Sequence, residues 1–143
     1  MCGISGAFSK YDLSHEDRLV VSDMVSLQVS RGPDNSSVVY DKKVCLGHNR
    51  LKIIDLSDSA NQPTQGDRYI LSFNGEIYNY LTLKEELTRV YQKEFSTTSD
   101  TEVLLKCFEQ YGVNDTLSKI DGMFAIALYD KVYKKLYLIR DRL

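Results

Sequence analysis

The chain has 143 residues, of which 43% are hydrophobic and 27% charged, and its net charge is −2. These values are typical of one globular domain, and they exclude the polybasic tracts that bind nucleic acid or anionic lipid. No apolar run is long enough to span a membrane, no signal peptide begins the chain, and three cysteines without CxxC spacing argue against disulfides and zinc. We therefore expect a cytoplasmic domain that binds neither membranes, nucleic acid nor a metal ion.

Six segments have the apolar, turn-bounded pattern of short strands. The first contains two glycines, which suits a buried strand that other backbone approaches closely. The last two predict a hairpin of long apolar strands around a polar turn. In chain order the segments are 2–9, 36–41, 43–47, 69–74, 122–130 and 134–140.

Three helices are predicted between these strands, each beginning at a hydroxyl residue that an acid follows three positions later. Gly112 is expected to end the third helix. Because strands and helices occur in groups without strict alternation, the pattern favours an α+β fold with largely antiparallel sheets. The three starts are Ser14 with Asp17, Thr82 with Glu85, and Ser99 with Glu102; the expected inward residues are Leu19, Val20, Met24 and Leu27, then Leu83, Leu87 and Val90, then Val103, Leu104 and Phe108.

Cys2 stands directly after the initiator Met1. A second residue this small lets Met1 be removed, which would leave a thiol and a free α-amine on Cys2. An α-amine has a pKa of about 7.7–8.0, so it can act as a general base near neutral pH. The alternative is that a small residue merely begins a strand. Of the two histidines only His48 could assist Cys2, and it is expected instead to order the loop before Arg50.

Asn74 and Gly75 follow an apolar strand, where Asn-Gly is a strong signal for a type I′ hairpin turn. The same pair could instead offer a side-chain amide and an unobstructed backbone N–H to an oxyanion. Taken alone, the dipeptide favours the turn.

Two charged residues also allow two interpretations each. Arg50 interrupts an apolar stretch, as either an edge residue or a buried fork for a carboxylate. Asp100 lies in the first turn of a predicted helix, where its carboxylate could either interact favourably with the helix dipole or bind a ligand ammonium group. Cys45 and Cys107 are expected to be small buried residues.

Eight motifs taken together resemble one known family: MCGISG, RGPD, HNRLKIIDLS, NQP, FNGEIYN, TTSDTE, DGMFAIALYD and LIRDRL. They are similar, in order and over the whole chain, to the N-terminal glutaminase domain of class II glutamine amidotransferases, in the branch of glutamine-hydrolysing asparagine synthetase. The resemblance implies an N-terminal nucleophile (Ntn) hydrolase fold, an αββα sandwich of two largely antiparallel sheets flanked by helices.

The resemblance also implies roles for particular residues, with L-glutamine as the substrate. Cys2 matches the nucleophile, and Asn74 with the Gly75 N–H matches the oxyanion hole. Arg50 matches the residue that grips the α-carboxylate, and Asp100, with Glu76 nearby, matches the group that holds the α-ammonium. The segment from Leu51 through Ile53 to Ile54 matches the wall of the pocket and its backbone contacts.

The family further implies that residues 1–143 form a glutaminase domain that is truncated at its C-terminus. The synthetase domain, with its ATP and Mg²⁺, would lie beyond Leu143, so no cofactor is expected in this chain. Its partners would be glutamine and that synthetase domain, and the family also allows a homodimer.

Three functions are compatible with these motifs. The first is glutamine hydrolysis through a cysteine thioester, which supplies ammonia for making asparagine from aspartate. The second is the same glutaminase serving another acceptor, such as a sugar of a surface polysaccharide. The third is a non-catalytic domain of assembly, which the retention of every catalytic-type residue argues against.

Overall fold

The computed structural model of the chain describes residues 2–142; Met1, whose removal is predicted above, and Leu143 lie outside them. Seven strands and three helices make up this part of the chain, and two single-turn 3-10 helices, Val29–Arg31 and Asp58–Ala60, lie in its loops. In chain order the elements are β1 (Gly3–Phe8), α1 (His15–Leu27), β2 (Asn35–Asp41), β3 (Val44–Arg50), β4 (Thr64–Gln65), β5 (Tyr69–Ile77), α2 (Tyr80–Tyr91), α3 (Asp100–Lys119), β6 (Gly122–Asp130) and β7 (Lys135–Arg140).

The strands form two antiparallel sheets, of order β1-β3-β2 and β4-β5-β6-β7. Helix α1 packs on the outer face of the first sheet, while α3, with α2 beside it, packs on the outer face of the second. The inner faces meet in a small core that contains Val44 and Leu46 of one sheet and Ile70 and Tyr129 of the other. This α-β-β-α layering confirms the predicted α+β sandwich.

Helix α1 begins as predicted, with Ser14 and Asp17 forming a reciprocal capping box, but it turns the other face to the sheet. Its buried residues are Val21 and Val25, and a Cβ on Gly47 of β3 would lie only 2.3 Å from a methyl of Val25. The sheet can approach this closely because Gly47 has no side chain. The predicted inward residues Leu19, Val20, Met24 and Leu27 are all exposed.

The starts of α2 and α3 differ in part from the prediction. Helix α2 begins at Tyr80, with Asn79 as its N-cap, rather than at Thr82. Ser99 does cap α3, but Glu102 completes no capping box, because its carboxylate accepts hydrogen bonds from the N–H groups of Ser96 and Thr97.

The predicted inward residues of α2 and α3 are buried except one. Val90 is exposed, so the apolar face of α2 is shorter than the sequence pattern indicates. Gly112 breaks the helical geometry of α3 at φ +79°, as predicted, yet a second helical segment continues to Lys119. The buried residues are Leu83, Leu87, Val103, Leu104 and Phe108.

Strand β5 extends through Asn74 and Gly75 to Ile77, so the Asn-Gly turn considered above is wrong. Gly75 pairs with Phe124 of β6, and a Cβ on Gly75 would lie 2.1 Å from the carbonyl oxygen of Met123. Its φ of +154° also favours glycine. The local turn signal is overridden by a complete ladder with β6.

Within residues 2–142, no helix is both long and apolar enough to cross a membrane. Cys45 and Cys107 are buried, as expected. His48 lies inside β3 rather than in a loop.

Candidate active site

All nine candidate residues line one cleft of about 240 Å³, at the end of the sandwich where β1 begins and β3 ends. They come from five separate parts of the chain: the residue before β1, the end of β3, the loop after it, the middle of β5 and the start of α3. The residues are Cys2, Arg50, Leu51, Ile53, Ile54, Asn74, Gly75, Glu76 and Asp100.

The thiol of Cys2 lies against the backbone of Leu51. The Leu51 N–H donates to Sγ over 3.4 Å, and Sγ lies 3.9 Å from the Leu51 carbonyl oxygen. An N–H donor at this position stabilises negative charge on the sulfur, and the negatively charged thiolate is the reactive form of a cysteine. Arg31 fixes the same residue from another side, since its Nε donates to the carbonyl of Cys2 over 3.2 Å.

Along one edge of β5, the backbone N–H groups on both sides of Gly75 are hydrogen-bonded to side chains. In an antiparallel ladder, the N–H groups of alternate residues point to the same edge. The N–H of Phe73 donates to Oε1 of Gln62 over 2.7 Å, and the N–H of Ile77 donates to Oδ2 of Asp100 over 3.1 Å. The alternation therefore directs the intervening Gly75 N–H at the cleft.

Asn74 places a second donor beside this N–H. Its half-buried side chain lines the cleft, and its amide has no hydrogen-bond partner among residues 2–142. The amide of Asn74 and the N–H of Gly75 are thus adjacent donors that can both donate to one negatively charged oxygen.

Arg50 is buried, and the loop after β3 folds around its guanidinium group. Nη1 donates to the Ser57 carbonyl at 2.7 Å and to Oδ1 of Asn61 at 2.8 Å, while Nη2 donates to the Asp55 carbonyl. Three of the five N–H donors of an arginine are used in this way. Among the described residues nothing accepts from Nε–H, and Nη2 has a second hydrogen left, so the guanidinium group keeps donors for a carboxylate ligand in the cleft.

Asp100 supplies the opposite charge on the other side of the cleft. It is the first residue of α3 and only 5% exposed, and burial raises the pKa of its carboxyl group, with a smaller contribution from the nearby charge of Glu76. A buried carboxylate without a cationic partner is unfavourable, so this position favours a ligand that brings a positive charge.

Asp55 joins the loop that surrounds Arg50 to the loop that precedes α3. Its Oδ1 accepts from the N–H and the hydroxyl of Ser57, and its Oδ2 accepts from the N–H and the hydroxyl of Thr98. These hydrogen bonds, those from Ser57 first, hold the pKa of the Asp55 carboxyl well below its usual range. The two walls that carry Arg50 and Asp100 are therefore tied together.

His48 is fully buried between the sheets, and its Nε2 lies 3.1 Å from the carbonyl oxygen of Phe73. A carbonyl oxygen only accepts, so Nε2 carries the proton and Nδ1 is the bare nitrogen. Burial lowers the pKa of His48 to about 4. The imidazole is thus neutral near pH 7 and bonded to backbone, which is a structural role.

Several residues that build the cleft have no role in the sequence analysis. Gln62 belongs to the NQP motif, which the resemblance includes without giving it a function. Arg31 belongs to the RGPD motif and Met123 to the DGMFAIALYD motif, which the resemblance likewise includes without giving either residue a function, and Met123 lines the cleft. Their contacts join residues far apart in the chain, which no local pattern reveals. Within residues 2–142, no group of three or more His, Cys, Asp or Glu side chains is placed to hold a metal ion.

Comparison with known proteins shows which family the chain is similar to. A family model described as a glutamine amidotransferase domain matches residues 1–143. Asparagine synthetase [glutamine-hydrolyzing] 1 of Bacillus subtilis is 39% identical over 99% of this chain and 22% of its own length. Asparagine synthetase B of Escherichia coli is 40% identical over 100% of this chain and 26% of its own length. The chain thus spans about a quarter of the length of these relatives.

Proposed function

The chain belongs to the family of glutamine amidotransferase domains, and from that membership and the cleft we propose that it hydrolyses L-glutamine to glutamate and ammonia at Cys2. The observation that carries the proposal is the pair of opposite charges flanking the thiol, Arg50 on one wall and Asp100 on the other. An amino acid offers one carboxylate and one ammonium group, and this pair matches both.

The proposed reaction has two stages. With Met1 removed, the α-amine of Cys2 takes the thiol proton, and Sγ attacks the side-chain amide carbon of glutamine. The C–S bond forms as the carbonyl oxygen becomes an oxyanion between the Asn74 amide and the Gly75 N–H. The C–N bond then breaks, ammonia leaves with the proton held by the amine, and a γ-glutamyl thioester remains.

Water completes the cycle. The same amine removes a proton from a water molecule, the hydroxide adds to the thioester, and a second oxyanion forms at the same two donors. Its collapse breaks the C–S bond and releases glutamate, and Cys2 recovers its proton. The Leu51 N–H, 3.4 Å from Sγ, stabilises the departing thiolate.

We further propose that the ammonia passes to a C-terminal synthetase domain, as the matched relatives are several times longer than this chain. ATP and Mg²⁺ would act there, on aspartate as the acceptor, and not in this glutaminase domain. All three cysteines are free, which supports a reducing, cytoplasmic location. The homodimer stays a prediction.

The test is glutamate release from glutamine by the chain that begins at Cys2. Cys2→Ala should abolish it. The same chain with one extra residue before Cys2 should also be inactive, because the α-amine becomes an amide. Glutamate release that persists in Cys2→Ala would contradict the assignment of the nucleophile.

A further inference from the structure

Gln62 is a buried residue of the cleft, and the proposed reaction gives it no role. It is 5% exposed and lies in the loop between β3 and β4. Both ends of its side-chain amide are bonded: Oε1 accepts from the N–H of Phe73 at 2.7 Å, and Nε2 donates to Oγ1 of Thr101 at 3.3 Å.

The partners of Gln62 stand next to the two parts of the candidate site. Phe73 directly precedes Asn74, the first oxyanion donor on β5, and Thr101 directly follows Asp100 at the start of α3. One side chain therefore bridges the strand that would hold the reacting oxygen and the helix turn that would hold the α-ammonium group.

We propose that Gln62 is a positioning residue for glutamine hydrolysis, whose amide sets the spacing between the oxyanion donors on β5 and Asp100 on α3. This inference rests on the proposed function and adds a residue to it. Among the described residues Gln62 makes no hydrogen bond to the thiol or to the oxyanion donors, so it acts through the backbone of Phe73 and through Thr101.

The register of β4 explains why a side chain is used here. Thr64 pairs with Leu71, so one further pair of positions along the ladder would bring Gln62 opposite Phe73. Strand β4 begins only at Thr64, however, so the backbone pairing stops before it reaches Gln62 and Phe73. The Gln62 side chain satisfies the Phe73 N–H, which would otherwise be buried without a partner, and the Gly75 N–H beyond it stays uncovered.

His48 fixes the other end of Phe73. The carbonyl oxygen that accepts from its Nε2 at 3.1 Å belongs to the same peptide plane as the N–H of Asn74. Gln62 and His48 together therefore set the tilt of the backbone from which the Asn74 side chain projects. An oxyanion hole needs donors held in place before charge develops, which such a double constraint provides.

The first test compares Gln62→Met with Gln65→Met in the chain that begins at Cys2. Methionine has a similar length but cannot accept from Phe73 or donate to Thr101, and Gln65 is an exposed residue of the adjacent β4. We expect Gln62→Met to lower kcat about tenfold or more with KM changed less than about threefold, because only the transition state loses its alignment. Gln65→Met should match the unmodified chain.

Thr101 provides an independent test if Gln62→Met fails to fold. Thr101→Val removes the hydroxyl group but keeps the shape, so kcat should fall, and Thr101→Ser should restore it. The double variant of Gln62→Met and Thr101→Val should be no worse than Gln62→Met alone, because both changes break one link. Effects that simply add, or no fall in kcat for Thr101→Val, would overturn the proposal.

Binding of an aldehyde distinguishes a loss of alignment of the oxyanion donors from a general disruption of the cleft. Glutamate γ-semialdehyde adds to a thiol to form a tetrahedral adduct whose oxygen would occupy the oxyanion hole, whereas L-glutamate tests the ground state. Gln62→Met should weaken aldehyde binding about tenfold and glutamate binding less than about threefold. Equal weakening of both, or an unchanged kcat, would overturn the role of Gln62. An unmodified chain that does not hydrolyse glutamine would instead overturn the proposed function.

Discussion

The carboxylate of Asp100 accepts a hydrogen bond from the N–H of Ile77, two residues beyond Gly75 on the same strand. The candidate ammonium site and the candidate oxyanion hole are thus attached to one continuous piece of backbone. The separation of Asp100 from Gly75 therefore depends on this hydrogen bond to β5 as well as on the bridge through Gln62.

Asp100→Asn should separate binding from stability. Asparagine can still accept from the Ile77 N–H, but it cannot attract an ammonium group, so KM for glutamine should rise about tenfold or more. Because burial raises the pKa of Asp100 in the folded state, its ionised form opposes folding near pH 7, and the variant should melt at a higher temperature. Steady-state kinetics and thermal unfolding test the two parts, and a lower melting temperature would contradict the second.

The same raised pKa predicts the pH dependence of binding. Asp100 must be ionised to attract the α-ammonium group, so affinity should fall as the pH drops through its pKa. Since that pKa lies above the ordinary value for aspartate, the loss should begin at a higher pH than for an exposed aspartate. Titration of KM against pH measures it, and Asp100→Asn should flatten this part of the profile.

Arg50→Lys should raise KM for glutamine steeply. A lysine ammonium is a point charge and cannot both hold the loop carbonyls of Ser57 and Asp55 and present a two-pronged fork to a carboxylate. Arg89→Lys on the exposed part of α2 is the matched control. An unchanged KM in Arg50→Lys would mean that Arg50 only holds the loop together.

Gly75→Ala and Gly112→Ala should differ, although both glycines have positive φ. A Cβ at residue 112 meets nothing within 4 Å, so Gly112→Ala should cost about 1–3 kcal/mol of backbone strain and leave kcat unchanged. A Cβ at residue 75 collides with the backbone of Met123, so β5 must shift and the oxyanion donors with it. Gly75→Ala should therefore lose at least about 10²-fold in kcat. Equal kcat values for the two variants would contradict the assignment of Gly75.

His48→Gln should reduce the sensitivity of the fold to acid. The pKa of His48 falls from 6.5 to about 4 on burial, so the unfolded chain binds the extra proton first, and stability declines as the pH drops from about 6.5 to 4. The loss of unfolding free energy that is linked to this proton amounts to about 3 kcal/mol at most. Glutamine keeps a donor for the Phe73 carbonyl but does not titrate, so denaturant unfolding between pH 7 and 4 should show a smaller decline for the variant.

The sequence predicts the layers of the fold better than the faces of its helices. Residues 122–130 are one strand as predicted, because nine residues of consistent apolar pattern leave little choice. Helix α1 is apolar on several faces, and the inward one depends on the absent side chain of Gly47, which lies in another element. Asn74 and Gly75 resemble a turn locally, and only the ladder with β6 makes them a strand.

The candidate site, too, could be predicted from the sequence only in part. Residue types and the order of the motifs predict Cys2, Arg50, Asn74, Gly75 and Asp100 as site residues, and all of them line one cleft. The residues that tie its walls together, Gln62 and Asp55, could not be found in this way. Their bonds reach Phe73, Thr98 and Thr101, 11 to 43 residues away, and such partners become visible only when the sheets are assembled.

The pairing of β1 with β3 also determines the face of the sheet on which the Cys2 thiol lies. Gly3 pairs with Asn49, so Cys2 stands opposite Arg50, and successive residues of a strand point to opposite faces of the sheet. One residue inserted between Cys2 and Gly3 would direct the thiol toward α1, away from the cleft. The side of the sheet on which the thiol lies therefore depends on Cys2 being directly adjacent to Gly3, the first paired residue of β1.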